Sequence, residues 1–298
     1  MRIRELLSCG RLSISFEFFP PKNPVGFERL RATIAALRDL RPTYVSVTYG
    51  TGGSTRRQTT DLITHLHDEY GLEALAHLTC AGSSQAYLQA VLQRYQDGGI
   101  ENLLALRGDP VRDGSIFEPH PEGFAHASEL VALARRDFNF CIGAACYPEG
   151  HIEAHSPAVD LDHLKHKVEA GCEFLITQLF FDNNKYFDFV GRARAAGIGV
   201  PIIPGIMPIT NVAQIERFTK ICGASIPEPL LSELRRRQDD PHAVLALGVA
   251  HATAQSLELL QRGAPGLHFY TLNKSPATRT LLMAIQTVYP PSNAPAGS

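Results

Sequence analysis

The chain has 298 residues, with 28 Lys plus Arg against 30 Asp plus Glu, so its net charge is -2 with histidine neutral. No surplus of positive charge exists to neutralise a phosphate backbone, which excludes nucleic-acid binding by bulk electrostatics. Hydrophobic residues make up 44% of the chain and charged residues 19%; that composition fills a large core and excludes disorder for the bulk of it.

The opening segment MRIRELLSCGRL carries positive charge but no apolar run of signal-peptide length. No uninterrupted apolar stretch nears the roughly 18 residues of a membrane span, so a cytoplasmic protein without a membrane partner is expected. The first apolar run, ISFEFFP from Ile14, is followed over residues 25–40 by apolar residues at helical spacing. That reads as a strand and then a helix. The pattern repeats with YVSVTYG from Tyr44 and a helix over 55–70, then LEALAHLTC from Leu72 and a helix over 85–97. A recurrence at about 30 residues is the spacing of βαβ units.

NLLALRGD from Asn102 precedes a helix over 124–136, CIGAACYPEG from Cys141 one over 160–170, and FLITQLFFD from Phe174 one that runs through Ala195. VPIIPGIMP from Val200 precedes a helix over 211–222, residues 226–241 read as a helical insertion, and GLHFYTLN from Gly266 precedes a last helix over 277–288. Strands apolar at nearly every position are buried on both faces, which demands a parallel sheet with helices outside. Eight such units in this length close into an α/β fold of the (β/α)8, or TIM-barrel, class, with extra helices before the last strand. A doubly wound sheet is the weaker reading. The nearest thing to its dinucleotide turn, YGTGGSTR, has Thr55 where the third glycine of GxGxxG belongs. Residues 1–289 are expected to form one catalytic barrel and residues 290–298 a disordered tail.

Polar residues at the C-terminal ends of barrel strands face a common pocket. They are Glu17 in the first strand, Thr48 and Tyr49 in the second, His77 in the third, Arg107 and Asp109 in the fourth, Tyr147 and Glu149 in the fifth, Gln178 in the sixth, and Asn273 and Lys274 in the eighth. A carboxylate flanked in sequence by Phe16, Phe18 and Phe19 is expected to have a raised pKa, which makes Glu17 a general-acid candidate. A simple ion pair with a neighbouring Arg or Lys is the alternative. Arg-Gly-Asp at 107–109 offers one group of each sign beside a glycine that permits close ligand approach; a structural ion pair is the other reading.

Of the 12 histidines, His151, His155, His163 and His166 cluster near Glu149, Glu153 and Asp160. Metal ligation is conceivable, but Pro148 and Pro157 bracket the His151/His155 pair and oppose the helix that HExxH chemistry needs. No metal is expected, and phosphate or ribose contacts are preferred. The six cysteines form no CxxC pair, and most sit in or beside apolar runs, as small buried hydrophobes do.

In order along nearly the whole chain stand SFEFFPPK, VSVTYG, AHLTC, LALRGDP, YPEGH, ITQLFFD, IPGIMP and HFYTLNKS. Together they resemble the methylenetetrahydrofolate reductases of the bacterial, catalytic-barrel-only type. The resemblance implies a flavin enzyme of one-carbon metabolism. It reduces 5,10-methylenetetrahydrofolate to 5-methyltetrahydrofolate with NADH or NADPH, by ping-pong hydride transfer through FAD, and supplies methyl groups for methionine synthesis. A homo-oligomer, dimer or tetramer, is implied too.

By motif position the resemblance implies that Thr48, Tyr49, His77, Arg107, Gly108, Asp109, His126, Ala127, Tyr147, His151, Ala154, Asp160, His163, His166 and Lys167 line the FAD. It also implies that Glu17, Asp109, Gln178, Gln214, Phe218 and Lys274 meet the folate or the nicotinamide, with Glu17 and Asp109 as the catalytic pair. Glu17 protonates the departing nitrogen of the methylene folate, Asp109 accepts hydrogen bonds from the pterin edge, and Phe218 either covers the stacked ring or belongs to the helix core. His126, His163, His166 and Lys274 depart from the family pattern of Tyr, Asn, Arg and Arg. A flavin-free reductase of the same folate, a metal-dependent barrel lyase or aldolase, and a non-catalytic folate-binding module are the alternatives.

Overall fold

The computed structural model describes residues 1–21, 23–49, 59, 62–63, 66, 69–109 and 117–290. Most of the helix expected over 55–70, part of the loop after the fourth strand, and the tail from residue 291 lie outside them. The described elements are α1 (Ile3–Ser8), β1 (Ser13–Phe18), α2 (Pro24–Arg38), β2 (Tyr44–Val47), β3 (Ala74–Thr79), α3 (Gln85–Asp97), β4 (Asn102–Leu106), α4 (Ala127–Asp137), β5 (Cys141–Cys146) and α5 (Pro157–Glu169). They continue with β6 (Phe174–Thr177), α6 (Asn183–Ala195), β7 (Ile202–Ile203), β8 (Gly205–Ile206), α7 (Val212–Cys222), α8 (Glu228–Arg236), α9 (Pro241–Gln261), β9 (Gly266–Tyr270) and α10 (Pro276–Val288).

All strand pairs are parallel, in the order β7-β6-β5-β4-β3-β2-β1-β9-β8. β7 and β8 are two halves of one barrel strand, parted at Pro204, which has no N–H to give a ladder. One half pairs with β6 and the other with β9, so the interrupted strand closes the ring. Gly205 N donates to Thr177 Oγ1 at 2.9 Å and His268 N to Pro204 O at 3.0 Å across the gap. The α/β barrel expected from the repeat is therefore the fold observed.

Alternation along each strand decides what every side chain meets. Phe16 and Phe18 of β1, Val45 and Val47 of β2, and Ala76 and Leu78 of β3 face outward. They pack under the helix layer, where Leu30, Ile34 and Leu37 of α2 and Leu88, Leu92 and Tyr95 of α3 complete the main core. The inward face is divided. Its lower half is a dry plug of Tyr44, Leu75, Leu104, Cys141, Phe174, Ile176 and Ile203, closed from below by Ile3 of α1. Phe174 fills the middle of the barrel because the facing strand residue is Gly143, where a Cβ would run into the ring. Its upper half is polar, and that is where the site lies.

The short helix α1 has no counterpart in the sequence reading, because its six residues hold too few turns to show a period. Tertiary contacts hold it. Ile3 N donates to Asn102 Oδ1 at 2.8 Å, and the Met1 ammonium pairs with Glu73 at 2.7 Å and also with Glu101. Full burial of an Ile side chain is worth about 1.5–3 kcal/mol, so Ile3 anchors the plug more than these exposed charges do.

The insertion expected before the last strand consists of α8 and the longer α9. Among the described helices, α9 is long and apolar enough by composition to cross a membrane. It packs on the barrel instead: a Cβ on Gly248 would collide with the Ile209 backbone, and Val244, Ala252, Ser256 and Leu259 are buried. The cysteines are free thiols, and burial pushes Cys80 up to about 11 and Cys141 and Cys172 up to about 12. Thiols held that far from ionisation pack as small hydrophobes.

Candidate functional site

A cavity of about 600 Å3 opens at the C-terminal ends of the strands. Its walls include Glu17, Thr48, Tyr49, His77, Arg107, Gly108 and Asp109, with Tyr147, His151, Gln178 and Phe218 completing the predicted set. Leu106, Arg107, Ala145, Tyr147 and His151 also line a second cavity of about 270 Å3. That second space brings together His126, Ala127, Ala154, Asp160, His163 and Lys167. The two cavities therefore share a wall.

Glu17 enters the wide cavity because Ser15 and Glu17 alternate with the outward phenylalanines of β1. The sequence reading surrounded this carboxyl with aromatics and expected its pKa to rise; the structure corrects that. Phe16 and Phe18 are fully buried on the opposite face, and Phe19 is 41% exposed. The groups that do face Glu17 are imidazoles, not Arg or Lys: His268 Nε2 stands 3.6 Å and His77 Nε2 3.8 Å from Glu17 Oε2. Burial pushes the carboxyl up, but the approach of His268 and the fields of His77 and His268 outweigh it and hold Glu17 below the ordinary carboxylate value.

Each imidazole rests on a serine. Ser46 Oγ lies 2.7 Å from His77 Nε2, and Ser15 Oγ lies 2.8 Å from His268 Nδ1. Burial pushes His77 down to about 4, so at neutral pH its ring is uncharged. The backbone beneath Glu17 is tied to β9, since Thr271 Oγ1 donates to Glu17 O at 2.6 Å. One residue on, Leu272 and Asn273 both adopt left-handed φ values, 51° and 56°. The Asn273 amide offsets that strain by accepting from Phe19 N at 3.0 Å and donating to Phe19 O at 2.7 Å.

Arg107 does not pair with Asp109. Its guanidinium forks onto Glu153, Nη1 to Oε2 at 2.6 Å and Nη2 to Oε1 at 3.0 Å, and lies 4.3 Å from the Phe117 ring centre. Asp109 is left exposed at the rim of the cavity. Gly108 between them has φ +87°, and a Cβ there would stand 2.9 Å from the Thr79 Cβ. In the second cavity, Lys167 Nζ donates to Ala145 O at 2.6 Å, and burial lowers its pKa. His126 stacks on His163 with ring centres 5.2 Å apart. Glu129 holds the start of α4 by accepting from Ala125 N and His126 N at 2.9 and 2.8 Å.

Five predicted residues lie outside both linings: Gln214, His166 and Lys274, together with Glu149, which accepts from Ser225 N at 2.9 Å, and Asn273, which is bound to Phe19. Gln214 is in the first turn of α7, where its N–H donates to the Asn211 cap at 2.8 Å. Lys274 is exposed beyond β9, and His166 is exposed on α5. Among the described residues no three His, Cys, Asp or Glu side chains converge as a metal group, so the metal-dependent alternative draws no support from the geometry. The sequence reading missed His268, Tyr270 and Leu272, which line the cavity from β9 and beyond it. Period-two alternation in GLHFY puts His268 and Tyr270 on one face, a signal of the same kind as that which nominated Glu17 and His77.

Polar chemistry gathered at the C-terminal mouth of a closed parallel barrel, above a dry plug, marks a TIM-barrel enzyme. The model of the family "Methylenetetrahydrofolate reductase" matches residues 2–286, and the chain belongs to that family. It is 39% identical over 267 residues to the 5,10-methylenetetrahydrofolate reductase of Escherichia coli, covering 89% of this chain and 88% of that one. It is 38% identical over 279 residues to methylenetetrahydrofolate reductase 1 of Schizosaccharomyces pombe, covering 91% of this chain and 45% of the yeast protein. The chain thus spans less than half of the yeast relative and most of the bacterial one. A solved structure, an uncharacterized Clostridium thermocellum protein that binds two copies of 5-methyl-5,6,7,8-tetrahydrofolic acid, superposes with a TM-score of 0.64 at 13% identity, over 96% of this chain and 98% of that one. At that identity the likeness is one of fold.

Proposed function

We propose that this chain reduces 5,10-methylenetetrahydrofolate to 5-methyltetrahydrofolate, with FAD as resident cofactor and NADH or NADPH as hydride donor. The observation that carries the reading is a carboxyl lining a wide cavity that shares a wall with a second, cation-bearing space. The donor set of that space fits a dinucleotide flavin. Arg107, Lys167, His126 and His163 suit a diphosphate and its ribose, and the absence of a side chain at Gly108 lets a flat ring approach the backbone. When bound there, FAD would supply the hydride carriage between nicotinamide and folate, with both ligands meeting this chain in the wide cavity.

The chain's own residues do the rest. The five-membered ring of the folate opens only if its departing nitrogen gains a proton, and Glu17 is the acid that faces the cavity. Asp109 at the rim accepts the paired N–H groups of the pterin edge, and its charge favours the cationic iminium that ring opening produces. The Gln178 amide serves the same edge once it releases Leu179 N, from which its Oε1 accepts at 2.9 Å. Phe218 supplies an apolar wall for the stacked ring. The test is the absorption spectrum of the purified protein, then anaerobic addition of each nicotinamide and of the methylene folate. A yellow protein bleached by NADH or NADPH and recoloured by the folate is expected. A colourless protein that still reduces the folate would overturn the flavin part of the proposal.

A further inference from the structure

The parallel ladder is interrupted between β7 and β8, and a side chain closes the seam. The β6–β7 register ends with Ile176 opposite Ile203. One pair further on, Thr177 faces Pro204, which has no N–H to donate. The next N–H along, that of Gly205, goes to Thr177 Oγ1 at 2.9 Å instead of to the carbonyl. Thr177 is fully buried, so its carbonyl needs a donor from the protein. That donor is the phenol of Tyr270, which reaches over from β9 and meets Thr177 O at 2.7 Å across 93 positions of sequence.

The surroundings are shaped to this contact. At Gly205 a Cβ would stand 2.6 Å from Tyr270 Cε2 and 2.9 Å from its hydroxyl, so any side chain there would drive the phenol off the seam. Burial and the field of Glu17 hold Tyr270 well above its usual value, so the hydroxyl keeps the hydrogen that it donates. The ring lines the wide cavity and lies edge-on to His268, with centres 5.2 Å apart.

The geometry points to Tyr270 as a positioning residue for the folate: by holding Thr177 O it fixes the adjoining Gln178, whose amide serves the pterin edge. This inference rests on the reading proposed above and deepens it.

The link between the two residues is one peptide plane. The carbonyl of Thr177 and the N–H of Gln178 belong to the same rigid unit and point to opposite sides of it. On one side Gln178 N donates to Cys146 O at 2.7 Å and continues the β5–β6 ladder. On the other side the phenol holds the carbonyl. With both ends held, the plane cannot rock, and the Gln178 side chain starts from a fixed point. Loss of the hydroxyl frees one end. An amide that must match two groups on a flat ring edge tolerates little displacement, since a misplacement of about 1 Å can cost about 100-fold.

The test is a double-mutant cycle on the holoenzyme, with wild type first. Tyr270→Phe keeps the ring and removes only the hydroxyl, leaving a buried carbonyl without its donor; the KM for methylene folate is expected to rise about 5- to 20-fold, with most of the loss in KM and not in kcat. Thr177→Val, which removes the acceptor of Gly205 N, should act in the same direction, and Thr177→Ser, which keeps the hydroxyl, should return to within about twofold of wild type. In a Gln178→Ala background Tyr270→Phe should change that KM by less than about twofold, because the group it positions is gone. An unmoved KM in Tyr270→Phe, or the full effect persisting in the Gln178→Ala background, overturns the positioning role. If wild type proves unable to reduce the folate, the proposed activity fails, and the positioning is then decided by amide hydrogen exchange. Gln178 N–H must exchange at least about fivefold faster in Tyr270→Phe while the β3–β4 amides keep their rates, and an unmoved Gln178 rate overturns it.

Discussion

Glu17→Gln is the substitution that presses hardest on the site. The change conserves shape, so the dry plug and the outward packing of Phe16 and Phe18 are untouched. What is lost is the group that carries a proton 3.6 Å from His268 and 3.8 Å from His77. General-acid catalysis is worth about 100- to 10,000-fold, or roughly 3–5 kcal/mol at 1.36 kcal/mol per decade. That whole loss should fall on folate reduction, while nicotinamide-to-flavin transfer, which needs no proton from this site, stays near the wild-type rate. Stability gives an independent reading. The folded-state pKa of Glu17 lies below its unfolded value, so its charge contributes stability above that unfolded value and loses it as pH falls through the folded one. Urea melts of the variant should therefore show a weaker loss of stability on acidification than wild type. Anaerobic stopped-flow spectroscopy measures both half-reactions; equal slowing of the two, or undiminished folate reduction, refutes the assignment.

Three further substitutions probe other parts of the molecule. Asp109→Asn is expected to weaken folate binding and slow flavin reoxidation while leaving Arg107 on Glu153; an effect confined to thermal stability would speak against the rim carboxylate as a ligand. Glu153→Gln frees the Arg107 fork and should tighten FAD binding to the apoprotein by about 1.5- to 5-fold, the worth of an exposed ion pair, with no effect on riboflavin, which lacks phosphates; fluorescence quenching measures both. Phe174→Ala empties the centre of the barrel above Gly143 and should cost about 3–5 kcal/mol in urea denaturation, and a loss below about 1 kcal/mol would mean that the plug collapses into the space.

The barrel was legible because its units repeat. Apolar strands, capped helices and turn residues are local, and Asn23, Ser84, Ser156 and Asn211 each cap the helix that follows them by accepting a backbone N–H. The candidate residues from β1 to β6 were legible for a related reason: a charge or an amide in a strand otherwise buried on both faces has to look into the barrel. α1 escaped notice because its stability comes from contacts with residues about a hundred positions away, as the bond from Ile3 to Asn102 shows.

The amino-acid sequence by itself determined the eight-unit repeat, most of the polar strand-end residues that face the pocket, and the family to which the chain belongs. All of these follow from short-range periodicity and from motifs within single strand ends. Only the tertiary structure decided the electrostatic sign of the site. Glu17 was read through its phenylalanine neighbours in the chain, yet alternation turns those rings away and ring closure brings in β9, where His268 meets Ser15 across 253 positions. Arg107 likewise found Glu153 rather than Asp109, two residues along. Burial and strand register act over a few residues, but a pKa sums every charge within a few ångströms, and closing the barrel is what chooses those charges.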